Sequence, residues 1–371
     1  MGDVSASRTP EAALVLPSFA SGGAERVVLN LAVGLAGRGW TVRLLTLDGQ
    51  GPMREQVPPA VEVVTLGHPR ARRAGPAIVA ELRRRPADML VGSQTHLNVL
   101  LGLVRPLLPR TTRLVLREPS LQPDANARSR KDLAIGRVLG RADVVVASSS
   151  AMHEHLVASV RGRARTVLLP NPVDVDGLRA LAASGTPERS RAGSAHLVSV
   201  GRLIGLKAHD DLLRALARSG TGHTLTLVGD GPERVRLERL TAELGLAGRV
   251  EFTGRVDDPA RLAALVAEGD VLVHPSRWEG LPNAVLEALA LGTPVLATTD
   301  LAVLATLAEE VGPDALRLVP RDGLPDALRG VRVRTVTGST DTLRPNLLPA
   351  RFRLPYVVDA LLDAADAAGG R

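Results

Sequence analysis

The sequence predicts an α/β fold with two doubly wound, Rossmann-like domains, and three observations predict it. The chain has 371 residues, too long for one ordinary core and about right for two domains. Short apolar runs alternate with helical segments through both halves, which is the pattern of parallel strands joined by crossover helices. A polar stretch rich in Gly, Ser and Arg, residues 174–194, separates the two series. Residues 1–173 are therefore expected as a first domain, 174–194 as a linker, 195–350 as a second domain and 351–371 as a terminal helix.

The elements follow in order. Residues 12–16 (Ala-Ala-Leu-Val-Leu) read as a buried strand, 17–23 as a loop and 24–36 as a helix stopped by Gly37-Arg38-Gly39. With a strand at 40–47 this makes a βαβ unit. Further strands are expected at 89–92, 113–116, 144–147 and 167–169, and Pro170-Asn171-Pro172 ends the series. The second half begins again with a strand at 196–200, a helix at 210–217, a strand at 224–228 and a helix at 233–244. Strands at 250–253 and 271–274 come next, then a helix opened by Pro282 and stopped by Gly292, and a strand at 295–298. Pro suits a first helical turn, where its missing N–H costs nothing. Residues 353–368 read as one amphipathic helix.

Composition narrows the functional classes. Hydrophobic content is 45%, enough for two buried sheets, while aromatics at 2% argue against a base-stacking nucleic-acid surface despite a net charge of +7. There is no cysteine, so neither disulfides nor a thiolate metal site are expected. Residues 1–10 carry Asp3 and a proline without an apolar core behind a basic head, so no signal peptide is expected. No apolar run approaches the ~20 residues of a membrane span. The expectation is a cytoplasmic protein, at most peripheral on a membrane. Residues 1–170 hold 23 Lys/Arg against 13 Asp/Glu, which suits an anionic partner such as a phospholipid surface or a lipid-phosphate acceptor. A general drift toward Arg accounts for it as well, since only Lys131 and Lys207 are lysines among 46 basic residues.

The most informative stretch is Trp278-Glu279-Gly280-Leu281-Pro282-Asn283-Ala284-Val285-Leu286-Glu287. One carboxylate precedes a helix start and another stands one turn inside it. The free N–H groups and positive dipole end between them suit phosphate, and carboxylates accept from sugar hydroxyls. A fully helical span of that length would cover about 12 Å, the scale of a nucleotide-sugar. Upstream, Gly201-Arg202-Leu203 and Lys207 put two cations in the loop after a strand, where ligands bind in open α/β sheets. Arg offers a bidentate fork and Lys a point charge to phosphate. Gly229-Asp230-Gly231 reads as a tight turn rather than a dinucleotide fingerprint, because Glu233 and Arg234 follow it. Gly22-Gly23 opens a helix after the first strand and lets backbone approach a ligand. His96 and Arg117-Glu118 follow strands in the first domain and are acceptor-side candidates. Asp174-Val175-Asp176 has the form of a metal motif but lies at the domain boundary, so no metal is expected.

Taken together these residues resemble the retaining glycosyltransferases of family 4, which have the two-domain GT-B fold. The resemblance rests on Gly-Gly-Ala-Glu at 22–25, Asn-Pro-Val-Asp at 171–174, Gly-Arg-Leu at 201–203 with Lys207, and Val-Gly-Asp-Gly-Pro at 228–232. It continues with Phe-Thr-Gly-Arg-Val at 252–256, His-Pro-Ser at 274–276, and the Glu-x7-Glu pair Glu279 and Glu287. It implies two domains facing across a cleft, the last helix crossing back to the first, and a nucleoside-diphosphate sugar as donor, UDP-linked before GDP-mannose. Arg202 and Lys207 would neutralise the diphosphate, Glu279 would hold the sugar and Glu287 the ribose. Backbone from Gly280 through Leu281 and Pro282 to Asn283, with Gly22 and Gly23, would meet sugar and phosphate. Gly254, Arg255 and Val256 would lie by the base. A saccharide, lipid-linked or small-molecule acceptor would enter near His96, Arg117 and Glu118, and the catalytic candidates are Glu279, His96, Lys207 and Arg202. Transfer would retain configuration by front-face attack and need no metal or other cofactor. A nucleotide-sugar epimerase and a non-catalytic sugar-nucleotide-binding subunit remain as alternatives. Three stretches depart from the family pattern: Ala208 where a Gly often follows the site Lys, Leu301-Ala302-Val303-Leu304 where a Gly-rich acidic turn is usual, and residues 331–346.

Overall fold

The computed structural model describes residues 8–68, 70–119, 130–184, 194–333 and 343–368, with backbone only at 130 and 131. Residues 1–7 of the leader reading, 185–193 of the expected linker, 334–342 of the unplaced stretch and the side chain of Lys131 lie outside the described residues. The chain divides into two compact units, 1–172 with 354–371, and 173–353.

The first unit runs β1 (Glu11–Leu16), α1 (Gly23–Ala36), β2 (Thr41–Thr46), β3 (Val61–Thr65), α2 (Ala71–Arg84), β4 (Met89–Gly92), α3 (Thr95–Val104) and β5 (Arg113–Glu118). It continues α4 (Arg130–Leu139), β6 (Val144–Ala147), α5 (Ser150–Val160) and β7 (Arg165–Leu168). Among the described residues its strands form one parallel sheet in the order β3-β2-β1-β4-β5-β6-β7. Strands β4 and β6 are buried along their whole length, as expected where helices cover both faces. The strand order reverses between β1 and β4, which makes the loops after these strands the switch point of the sheet.

The second unit runs α6 (Val175–Ser184), β8 (His196–Val200), α7 (His209–Ser219), β9 (Thr224–Val228), α8 (Arg234–Glu243), β10 (Val250–Gly254) and α9 (Pro259–Glu268). Then come β11 (Val271–His274), α10 (Asn283–Ala290), β12 (Val295–Thr298), α11 (Ala305–Val311), β13 (Leu316–Val319) and α12 (Leu324–Arg329). Its sheet order is β10-β9-β8-β11-β12-β13, so the reversal falls between β8 and β11.

Helix α13 (Leu354–Ala368) belongs to the first unit. Its Leu354, Val357, Val358 and Leu361 join Leu31 and Leu35 of α1 in one buried cluster. The two helices approach so closely at Gly34 that a Cβ there would collide with Val358 and Leu354.

Three features differ from the sequence expectation. Residues 174–194 are not wholly a linker, because α6 occupies their first half, with Val175 and Ala182 buried in the second unit's core. Asp174 Oδ1 accepts from the Gly177 N–H at 3.1 Å, so this carboxylate, read above as part of a metal-like motif, caps a helix. The edge strands β3 and β13 were missed; each is only partly buried and carries a charged residue, Glu62 or Arg317. Finally, the part of the unplaced stretch that is described packs against α10, with Leu347 N–H donating to Leu289 O at 2.9 Å.

One buried charge stands out in the first sheet. Arg43 of β2 has no exposed surface; it pairs with Glu81 at 2.6 Å, with Glu11, and donates to Arg85 O at 2.7 Å. Removing one member of a buried ionic set leaves uncompensated charge, typically costing ~3–5 kcal/mol. Arg43→Met is therefore expected to lower the first unit's stability by about that amount in urea denaturation. A loss of less than about 1 kcal/mol, the scale of exposed pairs, would contradict this reading.

Candidate functional site

The candidate site lies at the switch point of the second sheet, where β8 and β11 end side by side. The loop after β8 is laced to its neighbour by backbone. Gly201 N–H donates to Val228 O at 3.0 Å, Leu203 N–H to Asp230 O at 3.0 Å, and Glu233 N–H to Leu203 O at 3.0 Å. This contact explains the Gly-x-Gly turn: a Cβ at Gly229 would collide with Gly201 O, and one at Gly231 with Leu203 O. Gly229 N–H also donates to Gly254 O at 2.9 Å, so the loops after β8, β9 and β10 form one rigid edge.

Lys207 follows this loop. Its aliphatic stem runs beside Gly201, where a Cβ would lie 3.5 Å from Lys207 Cδ. Its ammonium pairs with Glu279 Oε1. The same oxygen accepts from Ser276 Oγ at 2.9 Å and from His274 Nε2 at 3.1 Å. All three donors converge on Oε1 and, among the described residues, none donates to Oε2. The loop after β11 is anchored in turn. Arg277 donates to Gly205 O at 2.6 Å and pairs with Asp211 at 2.8 Å, and its N–H bonds Leu206 O at 2.9 Å. Ser276 O accepts from Thr298 Oγ1 at 3.2 Å, and Pro275 O from Arg321 at 3.0 Å.

The electrostatics follow from burial. Burial alone would raise the Glu279 pKa, but the His274 hydrogen bond and the Lys207 charge outweigh it and hold the carboxyl at about 2. Burial pushes His274 down, against the pull of Glu279. Burial, aided by His274 and Lys207, also pushes His209 down to about 4. His209 Nδ1 and Ser199 Oγ are buried without a hydrogen-bond partner.

The other second-unit candidates lie in or beside the loops after β8 and β10 and in the segment from Gly280 into α10. Arg202 is exposed, and Arg255 is exposed with Nε on Asp257 at 3.1 Å. Gly254 is buried with φ +70°, and Val256 is partly buried. Gly280, Leu281, Asn283 and Glu287 are half-buried, while Pro282 is buried. The helix starts at Asn283 with Pro282 as its cap residue, so Pro282 falls one step before the first turn and Glu279 lies in the loop. The eight-residue span from Glu279 to Glu287 is thus only partly helical. It ends near Gly292, whose φ of +77° lets Arg344 and Pro345 pack against it.

In the first unit, Gly22 is the cap residue of α1 and Gly23 its exposed first residue. The Glu25 carboxylate folds over Gly22, where a Cβ would collide with it, and accepts from Gln94 Nε2 at 2.7 Å. This bond ties the loops after β1 and β4. His96, in the first turn of α3, is exposed. Arg117 and Glu118 were expected to face an acceptor, but both are 4% exposed. They end the central strand β5, and its burial draws them inward. Arg117 donates to Asn171 Oδ1, and Glu118 accepts from Thr95 Oγ1 at 2.7 Å and Asn98 Nδ2 at 2.6 Å. Burial lowers Arg117 to about 10 and raises Glu118. They brace the sheet edge from inside.

The sequence placed His274 and Ser276 in a motif without a role and did not single out Arg277 or His209. A detectable signal existed for one of them: His274 is the only polar residue of β11 and stands at its carboxyl end.

Two parallel-sheet units of this kind, each with its switch-point loops, fit the GT-B class of α/β protein. Comparison with known proteins agrees. A model described as Glycosyltransferase Family 4 matches residues 21–176, and one described as Glycosyl transferases group 1 matches residues 194–330. The chain belongs to this glycosyltransferase family. It is 35% identical over 178 residues to the lipopolysaccharide core biosynthesis glycosyltransferase LpsD of Rhizobium meliloti, covering 46% of this chain and 49% of that one. It is 30% identical over 229 residues to the GDP-mannose-dependent alpha-(1-6)-phosphatidylinositol dimannoside mannosyltransferase of Mycobacterium tuberculosis, covering 60% and 57%. The chain thus spans about half the length of these curated relatives. Among solved structures, Anabaena HepE in complex with UDP superposes with a TM-score of 0.69 at 20% identity, covering 97% of this chain and 100% of that one. At that identity the likeness is one of fold.

Two expected outcomes follow from the site's geometry. Ala208 holds φ +52° and is fully buried. Left-handed backbone costs a non-glycine residue ~1–2 kcal/mol, and glycine's own entropic cost is ~0.5–1 kcal/mol. Loss of the buried methyl costs about 0.8 kcal/mol, so Ala208→Gly is expected to change stability by less than about 1 kcal/mol; a larger loss in urea denaturation would contradict it. His209 titrates near 6.5 when unfolded and about 4 when folded. Its neutral form therefore contributes stability that is complete above pH 6.5 and is lost as pH falls to 4, on the order of 3 kcal/mol. In denaturation at pH 7 and pH 4.5, His209→Leu should show a smaller pH difference than the unmodified chain. An equal difference would contradict the assignment.

Proposed function

We propose that this protein transfers a sugar from a nucleoside-diphosphate sugar to a hydroxyl acceptor, with retention at the anomeric carbon and without a metal. The observation that carries the reading is the convergence of Lys207, His274 and Ser276 on Glu279 at the switch point of the second sheet. Ligands of open α/β sheets bind at such points. Glu279 stays ionised at physiological pH and so can only accept, which suits sugar hydroxyls. Arg202 and Lys207 supply cations for the diphosphate. Glu287 suits the ribose, and the backbone of Gly280 to Asn283 the phosphates and sugar. The loop at Gly254, Arg255 and Val256 suits the base.

In the reaction, the bond from the anomeric carbon to the diphosphate breaks as the bond to the acceptor oxygen forms on the same face. The acceptor's proton passes to the departing diphosphate. Negative charge grows on that leaving group, and fixed cations stabilise it. No protein nucleophile is needed, and Glu279 and Glu287 are not a glycosidase pair. In the first unit, exposed His96 is the group proposed to meet the acceptor, with Gly22 and Gly23 approaching the donor. Arg117 and Glu118 act only through the edge they brace. A UDP-sugar is the favoured donor and GDP-mannose the next; of the comparison proteins, one is solved with UDP and one is named GDP-mannose-dependent. The acceptor is a saccharide, a lipid-linked saccharide or a small natural product. Among the described residues no helix is long and apolar enough to cross a membrane. The basic first half suits peripheral contact with anionic lipid on the cytoplasmic side.

Nucleotide-sugars screened by thermal shift should identify the donor, since a ligand at 100 times its Kd adds about 2.7 kcal/mol of stability. With that donor and an acceptor panel, Glu279→Ala is expected to abolish transfer and Lys207→Ala to slow it at least ~10-fold, about 1.4 kcal/mol. Unchanged transfer in both variants would refute the proposal.

A further inference from the structure

We infer that His274, with Ser276 beside it, is a positioning residue for sugar recognition: it fixes Glu279 through Oε1 so that Oε2 faces the donor sugar. The inference rests on the donor reading above and adds to it the group that aims the carboxylate.

Three features of the structure carry it. First, the anchor stands on the sheet while the carboxylate stands on a loop. His274 is the last residue of β11, pairs in register with Ala297 of β12 and is 2% exposed. Ser276 is 1% exposed, and its carbonyl accepts from Thr298 Oγ1. Glu279 instead sits in the loop between β11 and α10. A binding group on a loop holds a productive geometry only when neighbours lock its rotamer.

Second, the bonds are one-sided. His274 Nε2, Ser276 Oγ and Lys207 Nζ all reach Oε1. Acceptance by the carboxylate requires the Nε2–H tautomer of His274. A carboxylate held by one oxygen keeps the other's lone pairs for a ligand hydroxyl.

Third, Lys207 cannot do this work alone. It is the cation proposed for the diphosphate, so its hold on Oε1 weakens once phosphate competes for the ammonium. His274 and Ser276 otherwise contact each other at 3.3 Å and would keep Glu279 in place when donor is bound. A buried histidine that only fills space would not need its ring nitrogen on this oxygen.

The test compares His274→Gln with His274→Asn. The Gln amide nitrogen can take the place of Nε2 and donate to Oε1, whereas the Asn amide reaches only the Nδ1 position. Binding of UDP, UDP-glucose, GDP and GDP-mannose is measured by calorimetry, and donor turnover is measured alongside. In His274→Asn, bare-nucleotide affinity should be unchanged, the preference for nucleotide-sugar over nucleotide should fall, and turnover should drop about 10- to 100-fold. His274→Gln should recover most of both, and Ser276→Ala should show a smaller loss of the same kind. A purely structural role would instead change stability and bare-nucleotide affinity together. If His274→Asn keeps both turnover and sugar preference while Glu279→Gln loses them, the inference fails and the donor reading stands. If Glu279→Gln also keeps both, or the unmodified chain prefers neither nucleotide-sugar over its nucleotide, the donor reading fails with it.

Discussion

The ion pair between Lys207 and Glu279 is the contact on which the arrangement of the second unit's loops depends. It joins the loop after β8 to the loop after β11, the two strands that flank the reversal of strand order. The pair is partly buried, with side chains 21% and 15% exposed. Charges so placed are costly unless further hydrogen bonds satisfy them. Here Ser276 and His274 supply those bonds, and Arg277 adds a second tie between the same two loops through Gly205, Leu206 and Asp211. The site is a cross-linked polar edge standing on an apolar sheet.

That edge explains several residue choices at once. Gly229 and Gly231 are glycines because neighbouring carbonyls occupy the space a Cβ would need. Ala208 takes a left-handed conformation right after Lys207, which turns the chain into α7 while keeping the ammonium at the sheet edge. Such strain at a site persists only where its surroundings enforce it. The first unit uses a different device at its own switch point, the hydrogen bond from the Gln94 amide to Glu25 beside Gly22.

Much of the fold was legible in the sequence because central strands of parallel sheets are continuous apolar runs. β1, β4, β6, β8, β11 and β12 show this, and the Gly and Pro punctuation around them marks the turns. The edge strands β3 and β13 escaped notice, being only partly buried and each carrying a charged residue, and α6 because it lies in a stretch rich in small and polar residues. Of the site, the chemically distinctive groups Arg202, Lys207, Glu279 and Glu287 stood out by type and spacing. Burial did not. Arg117 and Glu118 carry charges that suggest exposure, yet the central strand they end draws them inside. His274 was legible only as part of the His-Pro-Ser motif, because its bond to the Glu279 carboxylate depends on how the loop after β11 folds back.

The central claim is that this edge holds a nucleotide-sugar, with the diphosphate on Lys207 and Arg202 and the sugar on the second oxygen of Glu279. The most direct measurement is a crystal structure of the chain soaked with the donor that stabilises it most. The account predicts diphosphate oxygens within hydrogen-bonding distance of Lys207 Nζ, a sugar hydroxyl on Glu279 Oε2, and His274 Nε2 still on Oε1. A diphosphate bound away from the loops after β8 and β11, or a Glu279 side chain turned off His274, would contradict it.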